Sequence, residues 1–171
     1  QELGVGEVGE IIVHGPQVMV GYYNREEENR KAFIELDGKT FFRTGDLGRY
    51  DDDGYFFIVD RVKRMINISG FKVWPSEIES YLYKHPAVKQ ACVIGIPDPK
   101  RGETVKAFIV LEEGYEGKIS VDDMIEWSKK HMAAYKYPRY VEFRKELPVT
   151  GSGKILWRQL QEEEKKKTAG N

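Results

Sequence analysis

Residues 42–72 read FRTGDLGRYDDDGYFFIVDRVKRMINISGFK. This stretch combines an acidic turn, a basic segment and a glycine hairpin, at residues 43–46, 60–63 and 69–72. Farther along, residues 148–154 form a small, polar, glycine-rich loop that ends in Lys154. Charges of both signs on glycine-bearing turns suit a ligand that carries hydroxyls and phosphates, such as a nucleotide.

The chain before Arg61 has β character. Short runs of β-branched and aromatic residues predict strands at 10–14, 18–22, 40–43 and 55–59. A polar segment at 24–33 predicts a short surface helix, and Asp51–Gly54 predicts a tight turn between two strands. So few helices cannot cover both faces of a sheet, and we therefore expect this part to be the edge of a larger domain.

The pattern changes to α+β after Arg61. We predict strands, helices and a hairpin in the order hairpin 65–73, helix 76–84, strands 88–96 and 104–111, helix 120–132, strand 140–143 and a terminal helix from Leu156. A capping box of Ser76 and Glu79 is expected to begin the first helix, and Ser120 to cap the second.

The predicted fold is α+β, with two parts. Residues 1–62 are expected to be the β-rich, barrel-like remnant of a large N-terminal domain. Residues 63–171 are expected to form a compact, mobile C-terminal α+β domain with a small mixed sheet and about three helices.

Composition and charge exclude several classes of function. The formal net charge of −1 favours neither a nucleic-acid surface nor an anionic membrane. Cys92 lies in an apolar run and is interpreted as a buried small hydrophobe, and a single cysteine fits a reducing, cytoplasmic location. No spacing of histidine or cysteine suggests a metal site, and no apolar run approaches the roughly 20 residues of a membrane helix.

Each polar motif, taken alone, fits either a ligand-binding role or an ordinary structural role in a turn or at the surface. Asp46 can bind the hydroxyls of a ribose or bond its own turn, and Arg61 and Lys63 can face a ligand or solvent. Ser69–Gly70 can admit a narrow ligand or form an ordinary turn. Lys154 can reach a phosphate or end a solvated linker.

The loop before Lys154 is not a P-loop. Pro148 stands where the first glycine of that motif belongs, and Ile155 replaces the serine or threonine that follows the lysine. The small residues before Lys154 instead predict a flexible loop that can swing the lysine to a phosphate or a developing oxyanion.

Together the motifs at 42–46, 60–63, 68–72 and 148–154 resemble, in order and spacing, those of the adenylate-forming enzymes, which include acyl-CoA synthetases, peptide-synthetase adenylation domains and firefly luciferase. Segments 98–103, 105–108 and 135–139 look most like the medium-chain acyl-CoA synthetases. The resemblance extends over essentially the whole chain, but over only the last third of such an enzyme.

The resemblance implies a two-step ligase reaction that uses ATP, Mg²⁺ and coenzyme A. A carboxylic acid and ATP would give an acyl-adenylate and pyrophosphate, and the thiol of coenzyme A would then give the thioester and AMP. Asp46 and Arg61 would hold the ribose, Lys63 would be the hinge of a domain rotation, and Lys154 would bridge the carboxylate and the α-phosphate. The resemblance further implies contacts to coenzyme A from Ser69, Gly70, Phe71, Lys72, Arg101, Lys129 and Tyr137.

The chain departs from the family pattern at two positions. Lys72 replaces a frequent arginine, and Lys63 stands where many acyl-CoA synthetases have aspartate. The family's glycine-rich phosphate loop is absent from these residues, so the small-molecule substrates and the Mg²⁺ ligands would need the missing N-terminal domain, and the fragment alone is expected to be inactive. Alternatives are an adenylation domain that loads a carrier protein, and a non-catalytic nucleotide-binding module.

Overall fold

The computed structural model describes residues 2–169. Contacts between Cα atoms divide the chain into two compact units, Gln1–Lys63 and Arg64–Asn171.

The first unit is built on a four-stranded antiparallel sheet. Its elements are β1 (Gly9–Val13), α1 (Glu26–Ala32), β2 (Phe33–Leu36), β3 (Lys39–Tyr50) and β4 (Phe56–Arg61). The long strand β3 pairs with β1, β2 and β4. The predicted surface helix is present as α1, and the predicted turn at Asp51–Gly54 is confirmed, because the amide of Gly54 donates to the carbonyl of Asp51 over 3.0 Å.

One strand predicted for the first unit is absent, because residues 18–22 form no strand. The strand predicted at 40–43 is present, but it continues as far as Tyr50. Asp46 therefore lies within β3 rather than on a turn between two strands. Gly45 interrupts the regular strand conformation with a φ of 72°, at the point where the register between β1 and β3 shifts, and glycine adopts this conformation readily.

The second unit confirms the α+β class, with a five-stranded mixed sheet and helices on both faces. Its elements are a 3-10 helix that begins in the first unit (Val62–Arg64), β5 (Ile66–Ile68), β6 (Phe71–Val73), α2 (Pro75–Leu82), β7 (Val88–Asp98), β8 (Gly102–Leu111), α3 (Val121–His131), β9 (Tyr140–Phe143) and α4 (Trp157–Ala169). The strand order is β6-β5-β8-β7, and β9 lies parallel beside β8.

The two faces of this sheet carry separate clusters of buried residues. On β7, Ala91 and Val93 belong to the cluster that includes Ile78 of α2 and Met124 of α3. The alternate residues, Cys92 and Ile94, pack with Leu160 of α4. Because successive side chains of a strand point to opposite faces, β7 and β8 are apolar nearly throughout.

Cys92 is confirmed as a buried small hydrophobe. Only 2% of the residue is exposed. Burial, with a smaller contribution from the charge of Glu79, raises the pKa of its thiol to about 12. The thiol is therefore protonated at neutral pH and is not a nucleophile.

The helices of the second unit begin in different ways. Ser120 caps α3 as predicted, and its hydroxyl and the carboxylate of Asp123 form a capping box. The capping box predicted for α2 is wrong, because α2 starts at Pro75 and Ser76 lies inside it. The carboxylate of Glu79 instead accepts hydrogen bonds from Arg64 over 2.5 Å and from the amide of Val93 over 2.8 Å.

Among residues 2–169, no helix is long and apolar enough to cross a membrane.

Candidate functional site

Asp46 and Arg61 form an ion pair across β3 and β4. They are direct partners in the strand register, and Nε of Arg61 lies 2.7 Å from Oδ1 of Asp46. The side chain of Arg61 is 61% exposed and that of Asp46 is 29% exposed. A carboxylate has about four lone-pair sites and a guanidinium five donors, so both groups retain capacity for a polar ligand.

Irregularities in the sheet surround this pair. The register between β3 and β4 shifts at Leu47/Gly48, and the register between β1 and β3 shifts between Glu10 and Ile12. Bulges of this kind re-aim side chains and are common beside functional sites. The sheet thereby presents Asp46 and Arg61 at an irregular point of an otherwise regular ladder.

Glu10 supports this region, although no sequence motif indicated a role for it. Its carboxylate accepts two hydrogen bonds from Arg43, at 2.6 and 3.0 Å, and a third from the amide of Gly45 over 3.2 Å. The hydroxyl of Thr44 donates to the carbonyl of Ile11 over 2.7 Å and accepts from the amide of Asp46 over 3.1 Å. No local sequence signal identifies Glu10, because its partners lie more than thirty residues away.

Lys63 is exposed in the 3-10 helix that ends at Arg64. The neighbouring Arg64 is held within the second unit: it bonds Glu79 of α2 and the carbonyl of Val93 of β7, and its guanidinium lies 6.0 Å from the centre of the Trp157 ring. The residue directly after Lys63 is therefore in contact with three elements of the second unit, which are α2, β7 and the start of α4.

Ser69, Gly70, Phe71 and Lys72 lie together at the β5–β6 hairpin. Ser69 and Gly70 have φ values of 51° and 89°, which is the pattern of a type I′ turn. The amide of Gly70 donates to the side-chain oxygen of Asn67 over 3.0 Å. The turn, Phe71 and Lys72 are all exposed.

Arg101 lies next to this turn. The amide of Ser69 donates to the carbonyl of Arg101 over 2.9 Å, and Ile68 pairs with Gly102 in the sheet. The loop that carries Arg101 is held by Asp98, whose carboxylate accepts from the amides of Lys100 and Arg101, each over 2.9 Å. The structure therefore brings together Ser69, Gly70 and Arg101, which are separate in sequence.

Lys129 and Tyr137 also lie close together. The ammonium of Lys129 is 5.8 Å from the centre of the Tyr137 ring, and Arg139, which the sequence analysis did not single out, stacks its guanidinium over the same ring at 4.1 Å. Tyr137 itself is only 8% exposed, so its ring lies beneath these cations. A hydrogen bond to Glu126 raises the pKa of Lys129.

Lys154 ends a compact, hydrogen-bonded turn. Val149 and Ile155 form an antiparallel bridge, and the amide of Thr150 donates to the carbonyl of Lys154 over 2.8 Å. The hydroxyl of Thr150 accepts from the amide of Lys154 over 3.1 Å and bonds Ser152 over 2.9 Å. Threonine closes the turn because its hydroxyl can bond nearby backbone amides.

The Lys154 side chain projects from this turn into solvent. It is exposed, and no carboxylate of residues 2–169 lies within ion-pair distance of its ammonium. An exposed cation of this kind is available to a phosphate or a carboxylate. Within the same described residues, no group of three or more histidine, cysteine, aspartate or glutamate residues is arranged to hold a metal ion.

The second unit is similar in sequence to a known family of enzyme domains. The sequence profile of the AMP-binding enzyme C-terminal domain matches residues 77–154. The chain is 49% identical over 158 residues to a long-chain-fatty-acid–CoA ligase of Bacillus subtilis, and 46% identical over 151 residues to a feruloyl-CoA synthase of an Amycolatopsis species. These matches span 92% and 88% of this chain but only 27% and 30% of the relatives.

Solved structures of similar proteins resemble this chain in both fold and sequence. ATP-bound MatB from Rhodopseudomonas palustris matches 95% of this chain with a TM-score of 0.86 and 36% identity. The o-succinylbenzoate CoA synthetase MenE of Bacillus subtilis, in complex with its acyl-adenylate intermediate, matches 93% with a TM-score of 0.77 and 36% identity. This chain corresponds to 31% of each of those proteins.

Proposed function

We propose that this chain, which resembles the adenylate-forming enzymes in sequence and fold, is the C-terminal portion of an acyl-CoA synthetase. The complete protein would convert a carboxylic acid, ATP and coenzyme A into acyl-CoA, AMP and pyrophosphate. The observation that carries this proposal is the exposed Lys154 on its hydrogen-bonded turn, a cation with no carboxylate partner among residues 2–169.

The first step needs positive charge where two anions meet. A carboxylate oxygen attacks the α-phosphorus of ATP, the bond from that phosphorus to the pyrophosphate oxygen breaks, and an acyl-adenylate forms. Lys154 is proposed to approach both the carboxylate and the α-phosphate, and so to offset their repulsion and the charge that develops between them. Mg²⁺ would arrive bound to ATP, with its ligands outside this chain.

Asp46 and Arg61 are proposed to hold the ribose of the nucleotide. The carboxylate of Asp46 can accept hydrogen bonds from the two ribose hydroxyls, while Arg61 both orients that carboxylate and offers further donors. Their pairing in the strand register fixes the two groups relative to each other before a ligand binds.

The second step transfers the acyl group. The sulfur of coenzyme A attacks the acyl carbon, the bond to the AMP oxygen breaks, and the thiol proton is lost to solvent. Ser69, Gly70 and Phe71 are proposed to line the path of the thiol arm, and the contacts to the rest of coenzyme A are proposed for Lys72, Arg101, Lys129 and Tyr137. The exposed turn and the cations over Tyr137 support this role.

Lys63 is proposed as the hinge between the two steps. A rotation about this residue would replace the Lys154 turn at the reacting atoms with the β5–β6 hairpin. The contacts of Arg64 with Glu79, Val93 and Trp157 support this position, because the chain from Arg64 onward is tied to the second unit and the preceding residue is free of those ties.

The acid is proposed to be a medium-chain fatty acid. This rests on the resemblance of segments 98–103, 105–108 and 135–139 to medium-chain acyl-CoA synthetases. The relatives described above are instead named for long-chain fatty acids and for ferulic acid. The class of acid is therefore tested by offering the full-length parent protein a panel of medium-chain, long-chain and aromatic acids.

The test of the proposed function uses the full-length parent with ATP, Mg²⁺, the acid panel and coenzyme A, with products identified by mass spectrometry. We expect acyl-CoA and AMP, and we expect Lys154→Ala to slow adenylate formation by roughly 10²- to 10³-fold. Lys165→Ala, which removes an exposed lysine of α4, is the matched control and should change nothing. Adenylate that accumulates and ignores coenzyme A would instead indicate loading of a carrier protein.

A further inference from the structure

The β5–β6 hairpin lies at the edge of the second sheet. β6 is the terminal strand in the order β6-β5-β8-β7, and its three residues pair with β5. A short edge strand has few ladder hydrogen bonds to hold it, so its position depends strongly on side-chain contacts.

An aromatic stack supplies such a contact. The rings of Phe71 and Tyr135 lie nearly parallel, with centres 4.7 Å apart and an angle of 22° between their planes. Phe71 remains 56% exposed and Tyr135 37% exposed, so the stack covers one face of Phe71 and leaves the rest of its surface available. Stacking of this kind stabilises a pair beyond the area it buries.

The segment that carries Tyr135 is itself anchored. The ammonium of Lys136 lies 2.6 Å from the carboxylate of Glu77 in the first turn of α2. The amide of Lys136 donates to the carbonyl of Ala133 over 2.8 Å. The same ammonium lies 5.6 Å from the centre of the Tyr135 ring. Tyr135 is thus presented by a turn that is tied to a helix of the core.

We propose that Tyr135 is a positioning residue for coenzyme A: its ring holds Phe71, and through Phe71 the turn Ser69–Gly70, in the place where the thiol arm passes. This rests on the proposed function, which places the hairpin beside coenzyme A in the second step. Since Tyr135 acts through the hairpin, its loss should impair thioester formation and spare adenylate formation.

The test compares variants of the full-length parent in the two half-reactions. Tyr135→Leu keeps an apolar side chain but removes the ring, and Tyr135→Phe keeps the ring but removes the hydroxyl. We expect Tyr135→Leu to lower kcat/KM for coenzyme A by about three- to tenfold and to leave ATP–pyrophosphate exchange within about twofold. Tyr135→Phe should match the wild type, as should the control Tyr115→Leu, which removes a ring of similar exposure from the turn after β8.

The pyrophosphate exchange also serves as the internal measure of folding, because a misfolded variant loses both half-reactions. Equal losses in both, no loss in either, or a Tyr135→Phe variant as impaired as Tyr135→Leu would overturn the inference. A wild-type parent that forms adenylate but no acyl-CoA would overturn the proposed function and the coenzyme A role with it.

Discussion

At Gly70 the backbone has a φ of 89°, and a side chain there would be strained even though open space surrounds the position. Ser69 precedes it with a φ of 51°. The left-handed conformation of both residues gives the hairpin a turn whose twist matches that of its strands. Single residues therefore decide the shape of the surface that we assign to coenzyme A.

We predict that Gly70→Ala lowers the free energy of unfolding by about 1 kcal/mol, because alanine is forced into a left-handed conformation. Urea denaturation of the 171-residue chain measures the change. Gly151→Ala is the matched control: it also meets open space, but its backbone lies outside the strained range of φ, and its effect should be close to zero. Equal stabilities of the two variants would contradict the prediction.

Asp46 gives a second prediction at this scale. In the full-length parent, Asp46→Asn should raise the KM for ATP by about 10- to 100-fold, because an amide replaces a charged acceptor of the ribose hydroxyls. Its partner Arg61 is 61% exposed, so loss of the ion pair itself should change stability by less than about 1 kcal/mol.

Steady-state kinetics and urea denaturation separate these two effects. Asp52→Asn, on the exposed turn before β4, is the control. A KM for ATP that is the same in both variants would remove Asp46 from the proposed nucleotide site.

At the scale of elements, α4 is held to the sheet by an apolar anchor and an ionic network. Leu160 is fully buried against the sheet. Around it, Lys106 of β8 bonds Glu142 of β9 and Glu164 of α4, at 2.7 and 2.8 Å, and Arg144 bonds both Glu142 and Glu163. The same helix follows the turn of Lys154, so the network also fixes the base from which that lysine projects.

This network makes stability depend on pH. Burial alone would raise the pKa of Glu142, but hydrogen bonds from Lys106, Arg144 and Lys167 outweigh it and lower the pKa to about 2. A carboxylate whose folded pKa lies below its unfolded value of 4.5 stabilises the fold above that value. This contribution is lost as the pH falls from about 4.5 to about 2.

We therefore expect the free energy of unfolding to fall over that range of pH, and to fall less steeply in Glu142→Gln, which has no carboxylate to protonate at this position. Urea denaturation at a series of pH values measures the slope. Glu116→Gln, on an exposed loop, is the control and should keep the wild-type slope. A Glu142→Gln slope as steep as the wild type would mean that other carboxylates carry the dependence.

At the scale of the whole molecule, the chain is a small part of the proteins it resembles. It spans between 27% and 31% of the relatives and solved structures described above. The glycine-rich loop by which the family binds phosphates is not among its residues. The proposed contacts of this chain with a nucleotide would therefore be limited to the ribose, through Asp46 and Arg61, and to the α-phosphate, through Lys154.

We predict that the purified 171-residue chain catalyses no ATP–pyrophosphate exchange with any acid that the full-length parent activates. The parent, measured beside it, establishes that the assay and the acid are suitable. Exchange by the 171-residue chain above the level of a Lys154→Ala variant of the same chain would show that these residues bind and activate ATP unaided.

Features that depend on neighbours along the chain were predictable from the amino-acid sequence alone. The Ser120 cap, the Asp51–Gly54 turn and the β9 strand follow from local backbone preferences, as does the hairpin at Ser69–Gly70. The α+β class followed from alternating apolar runs and helical periodicity. The order of the motifs also predicted the similarity to CoA ligases that the relatives share.

The meeting of side chains that are distant in sequence depends on the folded structure. Glu79 carries a capping-box pattern but is recruited by Arg64 and Val93, because a partly buried carboxylate gains more from a cation and an amide than from its own helix end. The support of Gly45 by Glu10 and the stack of Phe71 on Tyr135 likewise depend on strand register and loop position. Such contacts join residues far apart in the chain, and local propensities do not encode them.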